Sequence, residues 1–213
     1  MTQASLHVEH LGKRYQRTWI FRDLTHTFEA GRPCAVVGPN GAGKSTLIQT
    51  LTGYLSPSAG ELRYRVGARD LPPEAVHRHV AVAAPYLELI EEMTLLEAVR
   101  FHGAFRPLGG LSPRAFTERI FLDHARHQYV GRFSSGMKQR LKLGLALFTD
   151  APLLLLDEPT ANLDADGVAW YRREVTTCLP NRVVIIASNQ PHEYDFCPEQ
   201  IDVTTLKPRR PAG

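Results

Sequence analysis

Apolar and polar positions along the chain fall into three rhythms, and each predicts a kind of element. Strict alternation marks Leu6–His10 and Glu61–Val66, so both are expected to be half-buried strands. Trp19–Glu29 reads as another strand region, with Ile20, Leu24 and Phe28 among its apolar positions. Three unbroken apolar runs, Cys34–Val37, Leu153–Leu156 and Val183–Ala187, predict short strands covered on both faces. Helical spacing runs over Lys44–Leu51, which Gly53 stops, and from about Ser135 to Phe148.

From about Pro85 to Gly131 the pattern is helical and loop-like. Thr94 with Glu97 three residues later forms a capping box, in which each side chain satisfies a backbone N–H of the other. Gly109-Gly110 is a break, and Ser112-Pro113 opens another helix as a cap followed by a first-turn proline. Apolar strands alternating with helices predict an α/β fold, a parallel sheet with both faces covered, and the helical middle looks inserted into it. A length of 213 residues fits one such domain, 1–213.

Charge and cysteine usage narrow the setting. A formal charge of +3 and a pI near 8.8 are too mild for a nucleic-acid protein or a polybasic tail, so no nucleic-acid partner is expected. Cys34, Cys178 and Cys197 lie far apart without CxxC spacing, which gives neither a disulfide framework nor a zinc motif and suggests reduced thiols. Met1–Ser5 lacks the basic start and apolar run of a leader. No apolar stretch approaches the ~20 residues that span a bilayer, so any membrane work would fall to another chain. His77, His79, His102, His124 and His127 read as surface histidines, and Lys207, Arg209 and Arg210 as a solvated tail.

Two motifs carry chemistry. Gly38-Pro39-Asn40-Gly41-Ala42-Gly43-Lys44-Ser45-Thr46 begins with two glycines five apart and then Lys-Ser, the phosphate-loop pattern, between a buried strand and a helix. Phosphate oxygens are bound by successive backbone N–H groups, which requires close approach and glycine conformations. The helix that follows points its positive end at the anion. Lys44 can reach the β- and γ-phosphates, and the Ser45 hydroxyl can ligate Mg²⁺. Further on, the apolar strand 153–156 ends in Asp157-Glu158. Ligands of parallel sheets sit at the carboxyl ends of strands, so Asp157 is placed for the Mg²⁺ shell and Glu158 as general base on a water. Together the motifs indicate a nucleoside triphosphatase, and the absence of an Asn-Lys-x-Asp sequence weighs against GTP.

Phe133-Ser134-Ser135-Gly136-Met137 lies about twenty residues before Asp157 and opens a helix. Alone it is a serine-capped helix start, with N–H donors and a hydroxyl available to a phosphate. Pro159-Thr160-Ala161-Asn162-Leu163-Asp164 follows Glu158. In the order phosphate loop, Ser134–Gly136, acidic strand, Leu163-Asp164, nearly the whole chain resembles the ABC (ATP-binding cassette) family. The resemblance implies a P-loop NTPase core with a mainly parallel sheet, an N-terminal antiparallel β part and a helical subdomain inserted at about 85–150. It implies ATP and Mg²⁺, with Glu158, Lys44 and Asn189 catalytic and Ser45 and Asp157 holding the metal. It further implies head-to-tail pairing with a second copy or a paralogous ATP-binding subunit. Each ATP would then lie between the phosphate loop of one cassette and Ser134, Ser135 and Gly136 of the other. Tyr15 would stack on adenine, or is an ordinary strand or turn tyrosine. Separate transmembrane permease subunits at the cytoplasmic face of the cell membrane complete the implied machine. The form Ser134–Leu141 is similar to cassettes of ABC-2-type export systems.

The chain departs from the family pattern at three places. Ala83–Glu88 lacks the usual hinge glutamine, Ser135 replaces a usual glycine, and Asn189 stands where a histidine is usual, with His192 three residues late. Asparagine can donate a hydrogen bond but cannot carry a proton, so slow hydrolysis or an ATP-dependent switch is an alternative to a transport ATPase. A soluble ABC ATPase acting on ribosomes or DNA is another. Tyr86, Leu87, Leu89, Ile90 and Met93 form an apolar cluster that would either receive a membrane partner or pack the subdomain.

Overall fold

A computed structural model describes residues 4–207, so Met1, Thr2, Gln3, Arg209 and Arg210 lie outside the described residues. Strands β1 (Ala4–Tyr15) and β2 (Thr18–Glu29) form a long antiparallel hairpin, longer than the alternation in Leu6–His10 predicts. Register shifts along β1 break the strict alternation, which is why only part of the strand is legible. After β3 (Cys34–Val37) and α1 (Lys44–Leu51), β4 (Ala59–Val66) pairs with the other edge of β1, and β5 (Arg69–Asp70) pairs with β4. These four strands make an antiparallel sheet in the order β2-β1-β4-β5.

The short helix α2 (Val76–His79) leads into β6 (Val80–Ala83), and α3 (Leu95–Phe105), α4 (Pro113–Arg119) and α5 (Ser135–Phe148) follow. The chain returns through β7 (Leu153–Asp157), α6 (Ala165–Cys178), β8 (Val183–Ala187) and β9 (Glu199–Asp202). A second sheet, wholly parallel, has the order β6-β7-β8-β3-β9. Every residue of β7 and β8 is buried, as expected of strands covered on both faces. One apolar cluster fills the space between the two sheets and α1, with Phe21, Phe28, Leu47 and Ile48 fully buried. The other joins the parallel sheet to the helices through Phe116, Leu141, Trp170 and Tyr171.

The helical segment thus leaves the parallel sheet after β6 and rejoins it at β7, its neighbour. Thr94 and Glu97 form the expected capping box, and Ser112 caps α4 through the Ala115 N–H. Glu174 on α6, only 4% exposed, accepts from Arg119 of α4 at 2.9 and 3.0 Å and ties this segment to the core. β6, α6 and β9 have no counterpart among the predicted elements. β6 is a four-residue run with two alanines, α6 is rich in polar residues, and β9 is a partly exposed edge. Two histidine assignments need correction. His79 is half-buried, and His102 is packed against Thr149, with 2.8 Å between Nε2 and the hydroxyl. Burial pushes the His102 imidazole down to about 4.

Candidate nucleotide site

Past β3 the chain turns through Gly38, Gly41 and Gly43 at φ 143°, 75° and 111°. Gly43 is obligatory, because a Cβ there would sit 2.5 Å from Cγ2 of Ile20. The same contact seats the β1–β2 hairpin on the loop, and the exposed Tyr15 ring belongs to that hairpin. Gly43 is also the N-cap of α1 and makes no side-chain cap bond, so the first-turn N–H groups are left for an anion. Lys44 is buried, its Nζ donating to the carbonyls of Gly38 at 2.9 Å and Pro39 at 3.3 Å. Ser45 is exposed at the helix start and Thr46 is half-buried beside it.

Asp157 ends β7 and is 1% exposed, yet neither carboxylate oxygen has a hydrogen-bond partner among the described residues. Burial raises its pKa above the ordinary value, and the charges of Glu158 and Glu193 add to this. The Ser45 hydroxyl and the Lys44 ammonium pull the other way, so both lie close by. A buried carboxylate without partners beside a hydroxyl is a donor set that fits a hard, oxygen-liganded cation such as Mg²⁺.

Glu158 has a left-handed backbone (φ 47°), uncommon for a residue with a long side chain, and its N–H donates to Ala187 of β8 at 2.9 Å. It lines a cavity of about 320 Å³ with Asn162, Asn189 and His192. Asn189 is reached from β8 through Ser188, whose N–H donates to Val36 at 3.1 Å and whose hydroxyl accepts from Gln190 at 2.8 Å. That turn projects Asn189 onto the phosphate loop, where Nδ2 donates to Asn40 Oδ1 at 2.9 Å. His192 lines the same cavity but its ring is engaged by Thr160, with Nε2 3.1 Å from the hydroxyl, and it makes no hydrogen bond to the phosphate loop among the described residues. Phosphate loop, acidic pair and Asn189 therefore converge.

Two residues near this site were not singled out for it. Glu193 is 2% exposed and accepts from the Thr160 N–H at 2.7 Å, pinning the loop that follows Glu158. Nothing in a polar stretch of sequence marks a lone acid as buried. Tyr86 stands at the hinge that lacks glutamine; burial and then the Asp157 charge push its phenol up, and the Gln49 side chain opposes this.

Ser134 caps α5 through the Met137 N–H at 3.2 Å, and Ser134 and Ser135 are exposed. A Cβ on Gly136 would lie 2.9 Å from the Asn162 carbonyl, so this helix start packs on the segment after Glu158. Gln139 donates to the Pro159 carbonyl at 2.7 Å, and Arg140 to Asp164 at 3.2 Å. Asp164 in turn caps α6 through the Gly167 N–H, and that bond holds its carboxyl below the usual range.

A phosphate loop, a strand leading into paired acids and a capped helix tied to the segment after those acids define an ATP-binding cassette. The family described as ABC transporter matches residues 21–161, and the chain belongs to it. It is 35% identical over 169 residues to the uncharacterized ABC transporter ATP-binding protein YxlF of Bacillus subtilis, covering 76% of this chain and 55% of that protein. Against the daunorubicin resistance ATP-binding protein DrrA3 of Streptomyces coeruleorubidus it is 31% identical over 196 residues, covering 89% and 61%. The chain therefore spans little more than half the length of these curated relatives. The solved ATP-binding subunit of an ABC transporter superposes with a TM-score of 0.78 at 25% identity, over 93% of this chain and 86% of that one.

Proposed function

We propose that the chain is the ATP-binding and ATP-hydrolysing subunit of an ABC transporter. The observation that carries this is the partnerless, buried Asp157 carboxylate beside Lys44 and Ser45, with Glu158 and Asn189 at the mouth of the same site. The Gly38–Thr46 loop binds the triphosphate through backbone N–H groups, and Lys44 neutralises β/γ charge. Ser45 and Asp157 would hold Mg²⁺, which neutralises charge developing on the phosphates. Glu158 orients and deprotonates the attacking water, while Asn189 donates to the γ-phosphate. Tyr15 stacks on adenine. Asn189 cannot exchange a proton, so turnover is slow.

Ser134, Ser135 and Gly136 complete the site of a second cassette, either another copy or a paralogue. Ser134 and Ser135 are exposed at this helix start, which suits a surface that acts across a seam. Among the described residues no helix is long and apolar enough to cross a membrane, so separate permease subunits do the spanning, with this chain on the cytoplasmic face. Their docking place is the exposed edge of Tyr86, Leu87 and Ile90. There Leu87 and Leu89 line a groove of about 310 Å³ with Arg106 and Lys142. The form of Ser134–Leu141 and the likeness to the daunorubicin resistance protein favour an export system.

Glu158→Gln tests the reading, because an amide binds water but cannot take its proton. The variant is expected to keep ATP affinity, lose at least about 100-fold in turnover, and accumulate as an ATP-bound dimer by light scattering. Unchanged turnover would sink the assignment.

A further inference from the structure

We propose a divalent-metal site of the zinc class at the junction of the two sheets, formed by His26, Cys34 and Glu199. His26 lies on β2, Cys34 begins β3 and Glu199 begins β9. Parallel pairing sets Cys34 beside Glu199, and β2 lays His26 over that pair. One donor atom from each residue lies within 4.8 Å of the other two.

The contacts around the three donors leave one atom of each facing the others. Nε2 of His26 is buried without a hydrogen-bond partner, although Glu199 Oε2 is only 3.3 Å away. That nitrogen and that oxygen are near each other but not aligned with each other, as two ligands of a third atom would be. Arg32 holds the other Glu199 oxygen, Oε1, at 2.7 Å and so fixes the carboxylate's orientation. Phe28 contacts the imidazole edge-on, with ring centroids 4.6 Å apart, and limits its rotation. The Cys34 sulfur has a weak bond to the Ala35 carbonyl at 3.7 Å.

Sulfur, imidazole nitrogen and carboxylate oxygen together are the ligand set of zinc, and three protein ligands leave a fourth position for water. Metal–ligand distances of about 2.0 to 2.3 Å place ligand atoms within about 4 Å of one another, so small side-chain rotations close the cluster. On binding, the metal–sulfur bond forms as the thiol proton leaves to solvent, and His26 enters as the neutral ring. Burial, with Glu199 and Cys197, pushes the free thiol up to about 12, while Arg32 is the cation facing the site. Affinity is therefore modest. Bound metal would clamp β2 of the antiparallel sheet to the strand that feeds the phosphate loop.

Cobalt(II) titration of the intact, nucleotide-free protein tests this. One equivalent is expected to give a near-ultraviolet thiolate-to-cobalt band that zinc abolishes, and zinc should raise the thermal midpoint. Cys34→Ser should remove both signals, and His26→Gln should weaken binding at least about tenfold. Cobalt at Asp157 and Ser45 has no sulfur ligand and gives no such band. If Cys34→Ser does not fold, His26→Gln decides by itself. No thiolate band, a band that survives Cys34→Ser, or affinity unchanged by His26→Gln would overturn the proposal.

Discussion

Two helix starts in this molecule look alike on paper and differ in what they leave unsatisfied. Both α1 and α5 begin with glycine and serine and both belong to the motifs that single out the family. At α1 the N-cap is Gly43, left-handed and without a side-chain cap, so its N–H groups have no internal partner. At α5 the N-cap is Ser134, whose hydroxyl already accepts from the Met137 N–H. The first start has Lys44 buried in it and Ser45 exposed, and it lies beside Asp157 and beside Asn40 with its Asn189 partner. The second is exposed and tied to Pro159 and Asp164 behind the catalytic strand. An uncapped start is a complete anion site within one chain. A self-capped, exposed start holds its shape without an anion. Under the proposed pairing, the contrast fits one cassette that binds nucleotide by itself and a second that encloses it. It also puts α5 one hydrogen bond away from the segment after Glu158 of the same chain, through Gln139 and the Pro159 carbonyl.

The largest expected effect breaks the first start. Lys44→Ala should abolish ATP binding and lower phosphate release by more than about 1,000-fold, measured by nucleotide titration and phosphate assay. Asn189→Ala comes next. It removes a donor aimed along the phosphate loop, and turnover should fall roughly 100-fold with ATP affinity nearly kept. His192→Ala, whose ring faces Thr160, should leave turnover and its pH profile largely unchanged. A reversed result for these two would place the γ-phosphate contact at the wrong residue.

Ser134→Ala acts on the second start alone. It should leave ATP binding by a single chain untouched, reduce turnover of the pair roughly tenfold, and lower stability by about 1 kcal/mol through the lost cap. Equal loss of binding and turnover would erase the distinction between the two starts.

The smallest effect is on stability. Asp157 has a raised pKa in the fold, so the folded state holds its proton to higher pH than the unfolded state. Stability therefore falls as pH rises through the window between those two values, and it stays lower above it. In metal-free buffer at neutral pH, Asp157→Asn should raise stability by about 1–3 kcal/mol, read as a higher thermal midpoint. The gain should vanish below the ordinary aspartate range. His102 works in the other direction: with its imidazole held down to about 4, stability should drop as pH falls from the ordinary histidine value toward that point.

Much of this was legible in the sequence because local chemistry decides it. The apolar runs at Cys34–Val37 and Val183–Ala187 became strands with those bounds, and the helix expected from Ser135 to Phe148 has those ends. Caps at Thr94, Ser112 and Ser134 depend on neighbours three residues away and were readable for that reason. The phosphate loop and the acids at the end of β7 were equally plain, since each stands next to its strand in the chain. Tertiary structure alone decided the rest. It made a strand of Val80–Ala83 by pairing it with Leu153–Leu156, and it packed a half-buried His102 against Thr149. Burial of Glu193 and the nearness of Tyr86 to Asp157 depend on chain segments far apart in sequence. The same holds for His26, Cys34 and Glu199: their spacing matches no metal motif, and only the packing of one sheet on the other gathers them. Short-range rules fix what a residue does to its own backbone, whereas desolvation and convergence of charges depend on what the whole fold lays beside it.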